Sequence, residues 1–293
     1  MFTGSGVAII TPFKKTGEVN FEKLVELIEF HIENKTDSII ITGTTGEAST
    51  LSDDEHLAVI KCAVDTVKGR IPVIAGTGSN DTRHGIELSV EAEKLGVDGL
   101  LQVTPYYNKT NREGLIRHFE SIAESVNIPI ILYNVPGRTG MNIPVDVVAH
   151  LSKNEKIVGI KEASGNISYA VEIARLCNEN FVMYSGNDDI IVPMLSIGSK
   201  GVISVVANIM PKETHDMVDL FLKGEVEKSR DLQLHLKPFI DALFIETNPI
   251  PIKKAMNLTG FEVGGLRLPL YEMSEGATAK LAEEMKKIGL LKG

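Results

Sequence analysis

The chain has 293 residues, of which 43% are hydrophobic and 24% are charged, and it contains no tryptophan. This composition is typical of an ordinary globular protein and argues against a disordered or membrane-embedded chain. The formal net charge of -9 argues against nucleic acid as a partner, because neutralising phosphates needs clustered lysine and arginine, and the sequence has no such cluster.

The two cysteines, Cys62 and Cys177, fall in segments with a helical pattern. They do not indicate a disulfide framework, and neither has the spacing of a metal-binding or redox motif. The N-terminus lacks a basic region followed by a long apolar stretch, and no later segment approaches a membrane span. We therefore expect a complete, cytoplasmic protein that makes no membrane contact.

From the N-terminus onwards, short apolar runs alternate with longer segments of helical period, as in proteins built from βα units around a parallel sheet. The predicted strands are residues 6–10, 38–42, 72–75, 99–103, 128–133, 157–160, 181–184 and 201–204. The predicted helices are residues 21–30, 53–67, 82–95, 112–126, 145–151, 168–177, 188–195 and 212–223. Eight strands, each followed by a helix, predict an α/β protein with a closed TIM (β/α)8 barrel. An open doubly wound sheet is less favoured, because the nearest glycine-rich turn, at residues 76–79, lacks the third glycine of a dinucleotide motif.

After residue 224 the pattern changes to helices alone, predicted at residues 226–244, 250–258 and 278–290. Pro238 lies inside the first of these helices and predicts a kink or a break there. We expect a catalytic barrel domain over residues 1–224 and a C-terminal α-helical extension, packed on the barrel, over residues 225–293.

In a TIM barrel the active site lies at the carboxyl ends of the strands. Polar and glycine-rich residues follow several of the predicted strands, and these would converge on one mouth. They are Gly43-Thr44-Thr45-Gly46-Glu47 after strand 2, Thr104-Pro105-Tyr106-Tyr107-Asn108 after strand 4, Tyr133-Asn134-Val135-Pro136-Gly137-Arg138-Thr139-Gly140 after strand 5, Lys161 after strand 6, and Ser185-Gly186-Asn187-Asp188 after strand 7.

Lys161 ends an apolar run and has two interpretations. Its side chain could simply reach water from the end of the strand, which is the commoner case for a lone lysine. It could instead be desolvated, lose its proton and attack a carbonyl group as a Schiff-base nucleophile. Each of the other strand ends also has an ordinary explanation as a turn or a solvated loop. Together they favour the second interpretation, since Tyr133 could carry protons, Thr44 and Thr45 could bind a carboxylate, and Arg138 could form a bidentate ion pair.

Three of these motifs, at residues 43–47, 133–140 and 159–165, resemble those of the dihydrodipicolinate synthase and N-acetylneuraminate lyase superfamily of pyruvate-dependent class I aldolases. The resemblance extends over essentially the whole chain. It implies a lyase in which Lys161 forms a Schiff base with pyruvate, with no metal or organic cofactor. It further implies the following site residues: Thr45 for the pyruvate carboxylate, a proton relay of Tyr133, Thr44 and Tyr107, with Tyr107 supplied by the adjacent subunit, and Gly186 and Ile203 lining the site.

Arg138 favours the synthase branch, in which this arginine holds the carboxylate of the aldehyde substrate. The resemblance then implies condensation of pyruvate with L-aspartate 4-semialdehyde to 4-hydroxy-tetrahydrodipicolinate, in lysine and diaminopimelate biosynthesis. It also implies a homo-oligomer, usually a tetramer built as a dimer of dimers.

The resemblance is incomplete at the effector pocket of the lysine-inhibited family members. The matching residues here are Ala48, Ser49, Asp53, His56, Asn80, His84 and Tyr106. Asp53 stands where inhibited enzymes commonly have histidine, and His84 stands where they have the glutamate that holds the effector's ammonium group. Because an imidazole cannot replace that carboxylate, we expect weak or absent inhibition by lysine.

Other functions are left open by the sequence. A pyruvate-cleaving aldolase could act on sugar acids or 2-keto-3-deoxy acids, with Arg138 binding a different carboxylate. A catalytically silent barrel could use its helical tail as a binding surface, although a binding module has no need of a lysine in an apolar pocket. A metal-dependent hydrolase is poorly supported, because most of the histidines fall within helices rather than at strand ends.

Overall fold

The computed structural model describes residues 1–292. Its strands form a closed parallel barrel in sequence order, in which β1 pairs with both β2 and β8. The strands are β1 (Gly4–Ala8), β2 (Ser38–Ile41), β3 (Val73–Gly76), β4 (Gly99–Val103), β5 (Ile130–Asn134), β6 (Ile157–Glu162), β7 (Val182–Ser185) and β8 (Gly201–Ser204). The predicted TIM barrel is therefore confirmed.

Helices follow every strand and continue beyond the barrel. They are α1 (Phe21–Glu33), α2 (Asp53–Val67), α3 (Thr82–Lys94), α4 (Arg112–Ser125), α5 (Pro136–Thr139), α6 (Val145–Leu151), α7 (Ile167–Ala174), α8 (Ile191–Ser196), α9 (Pro211–Leu222), α10 (Val226–Ala242), α11 (Ile250–Leu258) and α12 (Glu275–Lys287). Short 3-10 turns lie at Ala48–Thr50, Asp188–Ile190 and Val206–Asn208. No helix among residues 1–292 is both long and apolar enough to cross a membrane.

Both faces of the strands are buried, which explains why they read as continuous apolar runs in the sequence. In β2, Ile39 and Ile41 belong to the core between the barrel and its helices, whereas Ile40 belongs to the core inside the barrel. The inner core also contains the stacked rings of Phe2 and Tyr184, whose centroids are 4.5 Å apart. This filled interior leaves the site at the carboxyl ends of the strands.

Several predicted boundaries were wrong. Strand β1 ends at Ala8 because the backbone N–H of Ile10 donates to the side chain of Asn208 rather than to a neighbouring strand. Helix α7 ends at Ala174, so Cys177 lies beyond it, where Asn178 accepts two backbone N–H groups and closes a turn.

The predicted break at Pro238 is also wrong, because α10 runs without interruption from Val226 to Ala242. Proline removes the hydrogen bond to the carbonyl group four residues earlier, here that of Leu234. Leu234 is 62% exposed, so that carbonyl group is on the side of the helix that faces solvent. The helix therefore tolerates proline at this position.

All seven histidines lie in helices, as predicted, and two of them should make stability depend on pH. Burial lowers the pKa of His31 from 6.5 to about 3 and that of His118 to about 4. In both cases the unfolded chain binds the proton more readily, so the stabilisation is complete above pH 6.5 and is lost as the pH falls towards these values.

We expect His118 alone to account for up to about 3 kcal/mol of this acid destabilisation. Urea unfolding measured between neutral pH and about pH 4 should show the loss, and His118→Gln should make the dependence shallower. The exposed His150 is the matched control, since it contacts Glu120 across the surface. An unchanged pH dependence in His118→Gln would contradict the prediction.

Candidate active site

Lys161 lies near the carboxyl end of β6 and is paired in register with Tyr133 on β5 and Tyr184 on β7. Its side chain does not extend into water, because the residue is only 5% exposed. The Nζ atom lies 4.3 Å from the centroid of the Tyr133 ring. This burial favours the interpretation of Lys161 as a desolvated nucleophile over that of a lysine reaching solvent.

A cavity of about 500 Å³ opens at this end of the barrel. Thr44 from the end of β2, and Tyr133 and Arg138 from the end of β5, all line it. Lys161 contacts the wall of this cavity through Tyr133. A phenol, a hydroxyl and a guanidinium thereby surround one space, and the lysine lies against the phenol ring.

Arg138 lies in α5, a single helical turn that the sequence pattern did not predict. Pro136 occupies the first position of this turn, where its missing N–H is no cost, and Gly140 ends it in the left-handed conformation at φ +69°. The turn positions the guanidinium of Arg138, whose Nη2 donates to the backbone oxygen of Asn248 at 2.8 Å.

Thr45 lies in the loop after β2 and is buried, and it is not among the residues that line the cavity. Its Oγ1 accepts a hydrogen bond of 2.9 Å from Nδ2 of Asn248. Thr45 and Arg138 therefore share a partner from the segment between α10 and α11. Sequence reasoning missed Asn248, because nothing in its local pattern distinguishes it from other turn asparagines.

Gly186 lies close to Lys161, and Ile203 lies inside the barrel. A Cβ atom at Gly186 would come within 2.6 Å of the Ala163 side chain and within 3.1 Å of Cε of Lys161. Only glycine leaves room there for the lysine side chain. Ile203 is fully buried in the inner core that also contains Tyr133.

Tyr107 is not brought to the other predicted residues within one chain. It is 91% exposed and has a backbone φ of +71°, in the left-handed region that a tyrosine rarely adopts. Its neighbour Tyr106 does line the cavity. The Tyr107 side chain therefore faces solvent rather than the cavity of its own chain.

The residues matched to an effector pocket form the outer part of the same cavity. Ser49, His56, His84 and Tyr106 line it, and Asn80 lies beside them, donating to the backbone oxygen of Tyr106 at 3.1 Å. His84 uses Nε2 to contact Oδ1 of Asp53 at 3.0 Å. The carboxylate of Asp53 is thereby already engaged by an imidazole.

Asp188 is a buried acid near Lys161 that sequence reasoning left without a function. Its Oδ2 accepts the backbone N–H groups of Val205 and Val206, each at 2.9 Å. Burial raises the pKa of Asp188, while these hydrogen bonds and the charge of Lys161 act in the opposite direction. The carboxyl group holds the end of β8 against the start of the turn after β7.

A second buried network connects the loop after β2 to α11 and the segment that follows it. Lys253 donates from Nζ to Oε1 of Glu47 at 2.6 Å and to the backbone oxygen of Gly265 at 2.6 Å. The other carboxylate oxygen of Glu47 accepts the backbone N–H of Arg267 at 3.1 Å. Burial lowers the pKa of Lys253 to about 8. Glu47 is two residues after Thr45, so this pair holds the loop of the two threonines in place.

A family model described as "Dihydrodipicolinate synthetase family" matches residues 1–288. The chain belongs to this family. A curated 4-hydroxy-tetrahydrodipicolinate synthase from Caldicellulosiruptor bescii is 60% identical over 275 residues, which cover 94% of this chain and 93% of that protein.

Solved structures of the family have the same fold. Dihydrodipicolinate synthase from Aquifex aeolicus is 46% identical, with a TM-score of 0.97 over 100% of both chains. The enzyme from Cyanidioschyzon merolae, solved with lysine bound, is 39% identical, with a TM-score of 0.96 over 99% of both chains.

Proposed function

We propose that this family member is a 4-hydroxy-tetrahydrodipicolinate synthase, a lyase that condenses pyruvate with L-aspartate 4-semialdehyde. The observation that carries the proposal is the burial of Lys161 against Tyr133, at a cavity that Thr44 and Arg138 also line. High identity to a curated synthase over nearly the whole chain supports the same activity.

In this mechanism the neutral amine of Lys161 attacks the keto carbon of pyruvate, and loss of water from the carbinolamine gives an imine. Tyr133 and Thr44 carry the protons that these steps take up and release. Removal of a proton from the pyruvate methyl group forms an enamine, which makes a carbon–carbon bond with the aldehyde. Attack of the second substrate's amino group on the imine carbon closes the ring and returns Lys161 as a free amine.

The carboxylate of pyruvate is bound by Thr45 and a neighbouring backbone N–H, and the carboxylate of the aldehyde is bound by Arg138. Gly186 and Ile203 shape the site. Tyr107 completes the proton relay from a second copy of the chain, which its 91% exposure in the single chain supports. We infer a cytoplasmic homo-oligomer, a tetramer built as a dimer of dimers, and light scattering of the purified protein tests that assembly.

A coupled assay tests the proposed activity. The purified protein is given pyruvate and either L-aspartate 4-semialdehyde or a panel of sugar aldehydes and neutral aldehydes. Product formation is followed by adding an excess of the reductase that consumes the product. Efficient turnover of the semialdehyde alone is expected. Preference for a sugar-derived aldehyde would instead identify the aldolase that cleaves sugar acids.

Replacing Arg138 should affect the second substrate selectively. We expect Arg138→Ala to raise the KM for L-aspartate 4-semialdehyde, or to lower kcat/KM, by roughly 100-fold, because a charge-assisted hydrogen-bonded pair is lost. Trapping of the pyruvate Schiff base by borohydride should be retained. Arg117→Ala is the matched control, since Arg117 is exposed and, among the described residues, forms its one ion pair with Glu113 on its own helix. If Arg138→Ala lost pyruvate trapping to the same extent as it lost activity with the aldehyde, the assignment of Arg138 to the aldehyde carboxylate would be contradicted.

L-Lysine should inhibit this enzyme weakly or not at all. His84 replaces the carboxylate that would hold the effector's ammonium group, and Asp53, the acid that remains, is bound by His84 at 3.0 Å. Titration of L-lysine into the coupled assay should therefore leave activity nearly unchanged at millimolar concentrations. The coupling reductase assayed alone with lysine is the control. Half-inhibition of the condensation by sub-millimolar lysine would contradict the prediction.

A further inference from the structure

Asn248 joins the two predicted carboxylate-binding residues from a segment far away in the sequence. It lies between α10 and α11 and is 5% exposed. Its side-chain Nδ2 donates to Oγ1 of Thr45 at 2.9 Å, and its backbone oxygen accepts from Nη2 of Arg138 at 2.8 Å. One residue therefore contacts both through different atoms.

The direction of the bond to Thr45 determines what that hydroxyl can do next. A threonine hydroxyl has one hydrogen to donate and two lone pairs that accept. Because Thr45 Oγ1 accepts from the amide of Asn248, its own hydrogen is left free for another acceptor. Within residues 1–292 the structure shows no acceptor for it, so that hydrogen is available to a bound carboxylate oxygen.

We propose that Asn248 is a positioning residue that orients the Thr45 hydroxyl as a donor to the carboxylate of pyruvate. This inference rests on the proposed function and adds a residue of the C-terminal extension to the pyruvate site. Asn248 acts through Thr45 and does not itself touch the reacting atoms. The extension thereby contributes to substrate affinity as well as to packing.

The contact with Arg138 makes the expected effect selective. It uses the backbone oxygen of Asn248, which every side-chain substitution at this position retains. Changing the side chain should therefore weaken the binding of pyruvate, while the binding of the aldehyde through Arg138 stays close to that of the unaltered enzyme.

The direction of the hydrogen bond is itself testable, because Oδ1 of Asn248 is buried without a partner among the described residues. In Asn248→Asp the new carboxylate can only accept, so it would take the Thr45 hydrogen away from pyruvate. Asn248→Ala removes the donor without adding a competing acceptor. We therefore expect the aspartate substitution to be the more damaging of the two, although it preserves the shape of the side chain.

The experiment measures the pyruvate concentration that half-saturates borohydride trapping at Lys161, together with KM for both substrates. We expect this concentration to rise roughly 10-fold in Asn248→Ala and roughly 100-fold in Asn248→Asp. KM for the aldehyde should change less than about 2-fold. Adding Asn248→Ala to Thr45→Val should cause no further loss, since both changes remove the same interaction.

Asn257→Ala is the matched control, because Asn257 lies in α11, after Asn248, and its side chain bonds, among the described residues, to the backbone of Val263 and Gly264 alone. It should leave pyruvate trapping unchanged even if its melting temperature falls as far as that of Asn248→Ala. Unchanged half-saturation in Asn248→Asp, or effects of Thr45→Val and Asn248→Ala that add fully, would overturn the inference. Failure of the unaltered protein to trap pyruvate at all would overturn the proposed function instead.

Discussion

Lys161→Met is expected to abolish the condensation, lowering kcat by at least about 10⁴-fold, because no other group can take over covalent catalysis once the nucleophile is lost. Methionine keeps the length and the apolar character of the lysine side chain. It should therefore fill the space that Lys161 occupies beside Tyr133 and Gly186 with little loss of stability.

The decisive measurement is the mass of the peptide that contains Lys161 after borohydride reduction with pyruvate. In the unaltered protein this peptide should gain the mass of the reduced adduct, and in Lys161→Met no peptide should gain it. Lys153→Met is the matched control, since Lys153 is exposed just before the same strand. A full-sized adduct on another lysine, or residual activity near that of the control, would refute the Schiff-base mechanism at Lys161.

The largest effect on stability is expected from Lys253→Met. The Lys253 and Glu47 side chains are only 2% and 0% exposed, so removing the ammonium group leaves a carboxylate buried without its ion partner. Breaking a buried pair in this way typically costs about 3 to 5 kcal/mol of unfolding free energy. The ammonium group also lies 4.2 Å from the Phe13 ring centroid, so a favourable contact with the ring is lost as well.

Denaturant unfolding of single and double variants separates the charge effect from packing. Lys253→Met combined with Glu47→Gln should be less destabilised than the sum of the two single changes, because the double variant leaves no unpaired buried charge. Lys254→Met, at the next position of α11 but outside this buried pair, should stay within about 0.5 kcal/mol of the unaltered protein. Additive effects in the double variant would show that the pair is not coupled.

Lys253→Met should also weaken pyruvate binding. Glu47 follows the loop of Thr44 and Thr45 and takes a backbone φ of +55°, a strained conformation that the buried pair helps to hold. Relaxation of this residue would move the two threonines. The half-saturating pyruvate concentration is therefore expected to increase in the same variant.

Most of the barrel could be predicted, because strands that are buried on both faces appear in the sequence as short apolar runs. The strands are mostly apolar, since one set of side chains, such as Ile39 and Ile41, faces the helices and the other, such as Ile40, fills the barrel. Boundaries were less predictable, because they depend on distant partners. Ile10 leaves the sheet on account of Asn208, which is 198 residues away.

Lys161, Tyr133, Thr44 and Arg138 could also be selected from the sequence, because each is a polar residue at or shortly after the carboxyl end of an apolar strand. Closure of a parallel barrel brings all such residues to one rim, so position along the chain predicts proximity in space. The same rule selects Tyr107, four residues after β4. It could not predict that this side chain would be 91% exposed and turned from its own site.

The sequence by itself determined the barrel, the strand-end residues and the resemblance to a pyruvate-dependent family, since each is written in local patterns of a few residues. Only the tertiary structure decided that Asn248 binds Thr45, 203 positions away, and that Lys253 binds Glu47, 206 positions away. Their local patterns are those of an ordinary turn asparagine and an ordinary helical lysine. What distinguishes them is that the closed fold removes both side chains from water. Because a buried polar group needs a hydrogen-bonding partner, each binds a residue that only the fold brings close to it.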